Sequence, residues 1–292
     1  MNLEQILDVL RKDPQIQKNI TQWRKIKARE AVYDDFPTEY RQDLIDILAE
    51  RSIKKLYTHQ ATALKQVALG KNVVVVTPTA SGKTLCYNIP VLNGILEDYN
   101  SRALYIFPTK ALAQDQLNEL YEISAKLGRN IKTYTFDGDT PASARKAIRT
   151  AGHIVITNPD MLHQGILPNH TKWIKLFENL KYIVIDELHY YRGVMGSHFS
   201  NVMRRLERIC KFYGSDPLFI CCSATIANPK ELAEKLLEKE FELVDNNGAP
   251  RGEKHFILYN PPVVNYELGI RRSVLNEEIG RASCRERVCH RV

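Results

Sequence analysis

Residues 78–84 read PTASGKT, preceded by the β-branched run VVVVT at 73–77 and followed by a stretch with helical spacing. A strand that feeds a tight loop, then Gly-Lys-Thr, then a helix is a layout that binds phosphate groups. The backbone N–H groups of residues 80–84 are predicted to wrap a β-phosphate, with the helix start adding positive potential. Lys83 would neutralise β- and γ-phosphate charge, and the Thr84 hydroxyl would ligate magnesium. Thr79, Ala80, Ser81, Gly82, Lys83 and Thr84 are therefore the predicted nucleotide-binding residues. The full GxxxxGK[ST] pattern is missed at one position, where Thr77 replaces the first glycine. A chance GKT on a surface loop is the competing reading; the flanking strand and helix weigh against it.

About a hundred residues later, YIVIDELH places Asp186 and Glu187 at the carboxyl end of an apolar run. Open α/β sheets take their ligands at that edge. Asp186 is predicted to hold magnesium, and Glu187 to orient and deprotonate an attacking water. Two acids beside an apolar strand are costly without a cation to serve. A strand that simply ends in solvent is the plain alternative, and the phosphate loop upstream argues against it.

The elements that must carry these residues follow from the apolar pattern. Short runs at 73–77, 103–108, 132–136, 153–158, 182–187 and 218–225 alternate with amphipathic stretches at 84–97, 110–127, 142–150, 196–213 and 229–238. Continuously apolar strands are buried on both faces, as in a parallel sheet covered by helices. The expected fold class is α/β: a P-loop NTPase, RecA-like, with a doubly wound parallel sheet and right-handed crossovers, preceded by an N-terminal helical extension. The expected organisation is 1–50 for that extension, 51–245 for the ATP-binding domain, and 246–278 for an exit segment. Residues 279–292 carry Arg281, Arg285, Arg287 and Arg291 against Glu286 alone and show no periodicity. They read as the in-frame translation of a sequencing adapter, so the natural chain is expected to continue past Glu278.

The chain has 292 residues, is 44% hydrophobic and 26% charged, and carries a formal net charge of +7, falling to +4 without residues 279–292. The basic balance suits a polyanionic partner. No apolar run approaches the roughly 18 residues of a membrane span, and no secretory signal core is present. Six cysteines form no CxxC pair. Disulfide and zinc frameworks are thus not indicated, no membrane partner is expected, and a reducing, cytoplasmic location is. Arg24, Lys25, Lys27 and Arg29, and the stripe Arg204, Arg205, Arg208 and Lys211, read as solvated helix faces, with a DNA contact as the alternative for each.

TPTASGKT, DELH and SAT at 223–225 occur in the order found in superfamily 2 helicases of the DEAD/DEAH-box group. PTKALAQDQ at 108–116 and TNPDML at 157–162 resemble motifs Ia and Ib of that group. The strings YTHQATAL, DELHYYRGVMGSH, SATIANPKEL and YNPPVVNYELGIRRS resemble the bacterial MrfA (YprA-type) helicases, relatives of RecQ, over about residue 20 to 277. The resemblance implies an ATP- and Mg2+-dependent, 3′-to-5′ DNA helicase tied to DNA repair, acting on a single strand or a duplex–single strand junction. It implies that Gln60 reads adenine, that His189 acts with the catalytic set, and that Ser223 and Thr225 couple the nucleotide to the nucleic acid. Only the first of two RecA-like domains is matched, so the chain alone is expected to be poorly active. An ATP-gated nucleic-acid-binding module without unwinding activity is the alternative.

Nucleic acid would lie across the same sheet edge, met by loop residues after strand ends: Thr109, Lys110, Gly138, Asp139, Thr157 and Asn158. Turn chemistry explains Asp137-Gly138-Asp139 nearly as well. The loop at 190–198, with Arg192, is either an aromatic-rich coupling loop or simple packing.

Overall fold

The computed structural model describes residues 2–265 and 270–271; the stretch at 279–292 and residues 266–269 and 272–278 of the proposed exit segment lie outside the described residues. The described chain forms two compact units, one from residues 31–249 and one from residues 1–30 together with those from 250 onward.

In the larger unit seven strands form one sheet in the order Glu242–Val244, Val73–Val76, Leu218–Ser223, Leu180–Ile185, Arg102–Ile106, Ile154–Thr157, Thr133–Thr135. Every pairing in it is parallel. The run VVVV shows why. Val73 and Val75 enter one apolar cluster, Val74 and Val76 the other, and all four are buried. Alternate side chains point to opposite faces of a strand, so an unbroken apolar run requires cover on both. One face is covered by the helices Gln42–Glu50, Thr58–Ala68, Thr84–Glu97 and Lys110–Ser124. Gly193–Tyr213, Pro229–Leu237 and the irregular segment around Trp173 cover the other. Each fully buried Leu or Ile in these layers contributes on the order of 1.5–3 kcal/mol. This is the expected α/β, doubly wound, RecA-like sheet.

The smaller unit holds the helix Leu3–Lys12, capped by Asn2, and the short helix Pro14–Gln17. It also contains a strand that helical periodicity did not reveal: Ile20–Ile26 pairs antiparallel with Lys254–Tyr259. Trp23 Nε1 donates to His255 Nδ1 at 2.9 Å across that pair. From the basic cluster, Lys25 meets Glu253 at 2.8 Å. No described helix is long and apolar enough to cross a membrane.

Candidate nucleotide site and its neighbourhood

The strands Val73–Val76, Leu218–Ser223 and Leu180–Ile185 are consecutive in the sheet, so their carboxyl ends deliver residues 77–84, 223–225 and 186–189 to one edge. Parallel pairing makes this unavoidable: all strand ends of one polarity share a side.

The loop at 77–83 has two left-handed residues, Ala80 at φ 61° and Gly82 at φ 77°. Thr77, at the position of the missing consensus glycine, is buried, and its hydroxyl is 2.6 Å from the Ser81 hydroxyl. A threonine there pins the loop by a bond that glycine could not make. The N–H groups of residues 80–84 donate to no described protein acceptor, while Leu85 N donates to Gly82 O. Lys83 Nζ donates to the carbonyls of Thr77 at 2.9 Å and Pro78 at 3.0 Å. Thr79 and Ala80 are exposed, and Lys83 and Thr84 half-buried.

Gln60, whose resemblance-implied role is reading adenine, has both ends of its amide engaged within the protein. Its Oε1 accepts from Tyr57 N at 2.8 Å, and its Nε2 donates to Gly82 O at 2.9 Å. A Cβ added at Gly82 would lie 2.6 Å from Gln60 Nε2, at a φ that L residues rarely adopt. Gly82→Ala is therefore expected to destabilise the fold by about 1–3 kcal/mol through strain and a broken brace. A lowered thermal midpoint checks this; an unchanged midpoint with nucleotide binding intact would show that the loop relaxes freely.

Asp186 follows the Leu180–Ile185 strand, with its N–H donating to Ile106 O at 3.2 Å. Its Oδ1 accepts from Glu187 N at 2.8 Å, and its Oδ2 from the Tyr87 hydroxyl at 3.2 Å. Burial pushes the Asp186 carboxyl up to about 6, with Glu187's charge pushing the same way; the Glu187 N–H, Lys83 and Tyr87 pull it down. Glu187 itself is left-handed, at φ 52° and ψ 45°. That backbone turn lets two neighbouring acids leave a strand without pointing to opposite faces, and such outliers concentrate at functional sites. Tyr87 was not singled out by sequence reasoning. It is fully buried, stacks edge-on against Tyr105, and its hydroxyl donates to Asp186 Oδ2. Its position three residues after Thr84, one helical turn on, is the signal that could have found it.

His189 Nδ1 lies 3.2 Å from Glu187 Oε2, 3.3 Å from Ala224 N and 3.5 Å from Ser223 Oγ. Ser223 is buried and Thr225 exposed. The structure thus gathers Lys83, Thr84, Asp186, Glu187, His189 and Ser223 along one edge.

The nucleic-acid expectations fall differently. Lys110 and Asp139 form an ion pair, bringing the loops after two strands together. Thr109 Oγ1 accepts from Leu112 N at 3.5 Å as a helix cap. Around Gly138, Asp137 Oδ1 accepts from Asp139 N, as turn chemistry requires. Thr157 is buried and donates to Phe136 O at 2.7 Å, so its hydroxyl supports the strand end and does not reach outward. Asn158 caps Met161 N at 2.8 Å. In the loop at 190–198, Tyr191 is packing: it is buried and stacks on Phe199 at 3.9 Å. Tyr190 and Arg192 are exposed.

The DEAD/DEAH box helicase family matches residues 57–232, more than half of the chain and all of the edge just described. The chain belongs to the DEAD/DEAH box helicase family. Within it, the chain is 61% identical over 260 residues to ATP-dependent helicase YprA of Bacillus subtilis, covering 89% of this chain and 35% of that protein. It is 40% identical to ATP-dependent helicase hrq1 of Schizosaccharomyces pombe over 90% of this chain and 26% of that one. A crystal structure of DUF1998 helicase MrfA bound to DNA and AMPPNP matches with a TM-score of 0.89 and 58% identity, over 95% of this chain and 38% of that one. The chain therefore spans about a third or less of the length of these DEAD/DEAH relatives.

Proposed function

We propose that this chain is the ATP-binding half of a DNA helicase motor, 3′-to-5′ and acting in DNA repair in the cytoplasm, completed by a second RecA-like domain. Residues 51–245 form the ATP-binding domain in this reading, 1–50 its N-terminal extension and 246–278 the exit towards the second domain. The observation that carries it is the Tyr87 hydroxyl, one turn beyond Thr84 on the helix that follows the phosphate loop, donating to Asp186 Oδ2 at 3.2 Å, with Lys83 close enough to lower the Asp186 carboxyl. The relatives' structure with DNA and AMPPNP supports both ligands.

The donor set fits magnesium. Thr84 and Asp186 offer hard oxygen ligands, and a carboxylate whose charged form burial disfavours gains most from a cation. Bound Mg2+ would neutralise charge building on the β- and γ-phosphates. Lys83 would exchange the Thr77 and Pro78 carbonyls for phosphate oxygens, while the unbonded N–H groups of residues 80–84 receive the β-phosphate. Glu187 would take the proton of the attacking water. His189 Nδ1 then faces Glu187, Ala224 N–H and the Ser223 hydroxyl with a single site. As N–H it donates to Glu187; as a lone pair it accepts from Ala224 N–H. A proton arriving on His189 releases the loop at 223–225, which ties hydrolysis to the Ser223–Thr225 coupling segment.

The purified chain is expected to bind a fluorescent ATP analogue only when magnesium is present, to bind DNA weakly, and not to separate strands. Magnesium-independent binding, or measurable unwinding by this chain alone, would overturn the half-motor reading.

A further inference from the structure

We propose that a cleft at the amino ends of the strands Leu180–Ile185 and Leu218–Ser223 binds an organic cation, an ammonium or guanidinium group carried on an apolar stem. The two strands run parallel, so their starts lie on the sheet edge opposite the nucleotide site. The cleft stands apart from the phosphate loop and the acids, and the reading of the chain as a motor does not bear on it.

The cleft holds about 260 Å³. Two helices aim their carboxyl ends at it: Thr58–Ala68 contributes Val67 and Ala68, and Thr84–Glu97 contributes Pro90, Asn93 and Glu97. The last carbonyls of a helix carry partial negative charge, so two such ends favour a cation. The second of these helices begins at the phosphate loop, so one dipole would face an anion at its start and a cation at its finish. Glu39 and Glu97 stand exposed on the rim, and neither has a cation within ion-pair distance among the described residues. Glu97 Oε1 accepts from Asn93 Nδ2 at 2.8 Å, which holds the carboxylate and leaves Oε2 free for a ligand. Asn93 is fixed in turn, its Oδ1 accepting from Arg41 N at 2.9 Å, while the Arg41 guanidinium is engaged by Asp43 at 2.6 Å. Against the two acids the lining holds one cation, Lys181, whose Nζ lies 5.6 Å from the Tyr182 ring centroid. The side chains therefore leave the cleft net negative before the helix ends are added.

Tyr182 points to a ligand independently of the acids. It is 6% exposed, and its hydroxyl has no hydrogen-bond partner among the described residues. Its ring passes close along the helix Thr84–Glu97: a Cβ added at Gly94 would lie 2.7 Å from the hydroxyl oxygen. Gly94 shares a helix face with Pro90, Asn93 and Glu97, which brings that hydroxyl to the cleft wall. Burial, and then the Glu97 charge, raises the phenol to about 12, so it stays neutral at physiological pH and can accept from an N–H. A buried hydroxyl left unpaired is a cost that a donor in the cleft removes. The chemistry of the walls selects the kind of cation. Among the described residues no group of three His, Cys, Asp or Glu could hold a metal ion. Val67 and Pro90 are buried and Leu218 half-buried, which suits an apolar stem, and the acids at the rim suit a charged head beside water.

The test titrates the purified chain with spermidine, with N-acetyl-arginine-N-methylamide and with the uncharged citrulline counterpart of the latter, read by saturation-transfer NMR. Tyr182→Phe and Glu97→Gln are titrated alongside, with thermal midpoint and fluorescent ATP-analogue binding as controls. Both cations are expected to bind, and the citrulline compound to bind about tenfold more weakly than the arginine one, the effect of one lost charge-assisted hydrogen bond. Glu97→Gln should weaken cation binding about three- to tenfold and Tyr182→Phe about threefold, with analogue binding unchanged in both. The midpoint of Tyr182→Phe should be no lower than that of the unaltered chain, because the hydroxyl it removes has no partner within the fold. Tighter binding of spermidine would support the site and mark a free polyamine as its ligand; tighter binding of the arginine compound would support it and mark a basic side chain. Equal binding of the arginine and citrulline compounds, or cation binding unchanged in both variants, overturns the site. So does a lowered midpoint for Tyr182→Phe, which would show that the hydroxyl already serves the fold.

Discussion

Glu187→Gln, measured in the full-length parent, is expected to lower ATP turnover about 10²- to 10⁴-fold, the usual range for loss of a positioned general base. Nucleotide affinity should change little. The amide keeps the size of the side chain and can still contact His189, and Asp186 retains its bond from the residue 187 N–H. The left-handed backbone at 187 is indifferent to which of the two side chains it carries. The informative measurement is single-turnover hydrolysis beside fluorescent-nucleotide binding. Turnover within a few-fold of the parent would remove Glu187 from the proton-transfer role and favour a gated clamp over a motor.

Asp186→Asn is expected to abolish turnover and yet to stabilise the nucleotide-free fold. The folded carboxyl is raised to about 6 from an ordinary value of 3.8, chiefly by burial. The folded state therefore holds this proton more tightly than the unfolded one. Stability from this group is highest below pH 4, is lost as pH rises from about 4 to about 6, and stays at its lower level above that. At pH 8 the neutral asparagine avoids the penalty, a gain of up to about 3 kcal/mol on the 1.36 kcal/mol-per-unit scale. At pH 4 the aspartic acid is already neutral and the gain should vanish. Thermal midpoints of both proteins at the two pH values, without nucleotide, test this. A shift of equal size at both, or a lower midpoint for Asp186→Asn at pH 8, would refute it. Stability withheld at a site that must receive a cation is a recurring trade between folding and function.

The sheet was legible because its strands are apolar on both faces; VVVV can hardly be buried any other way. The phosphate loop was legible despite Thr77, because strand, loop and helix outweighed one consensus position, and the Thr77–Ser81 hydroxyl contact explains why glycine is dispensable there. The carboxyl-edge placement of Asp186 and Glu187 also followed from the strand. What stayed hidden depends on partners distant in the chain. The strand Ile20–Ile26 finds its mate more than two hundred residues away, so local periodicity carries no trace of it. The double engagement of Gln60 depends on the turn at Gly82. Tyr87 looks like one more apolar helix position until Asp186, 99 residues on, is seen to accept from it.

The pairing of Ile20–Ile26 with Lys254–Tyr259 imposes an order on synthesis. The first of these strands leaves the ribosome early, but its partner emerges only after roughly 230 more residues, on the order of tens of seconds at about 5–20 residues per second. Over that interval the sheet strands from Val73–Val76 to Leu218–Ser223 emerge and can pair, while the early segment waits with its backbone donors and acceptors answered by water alone. The Ile20–Ile26 strand is thus set in place only after the sheet strands that follow it in the sequence.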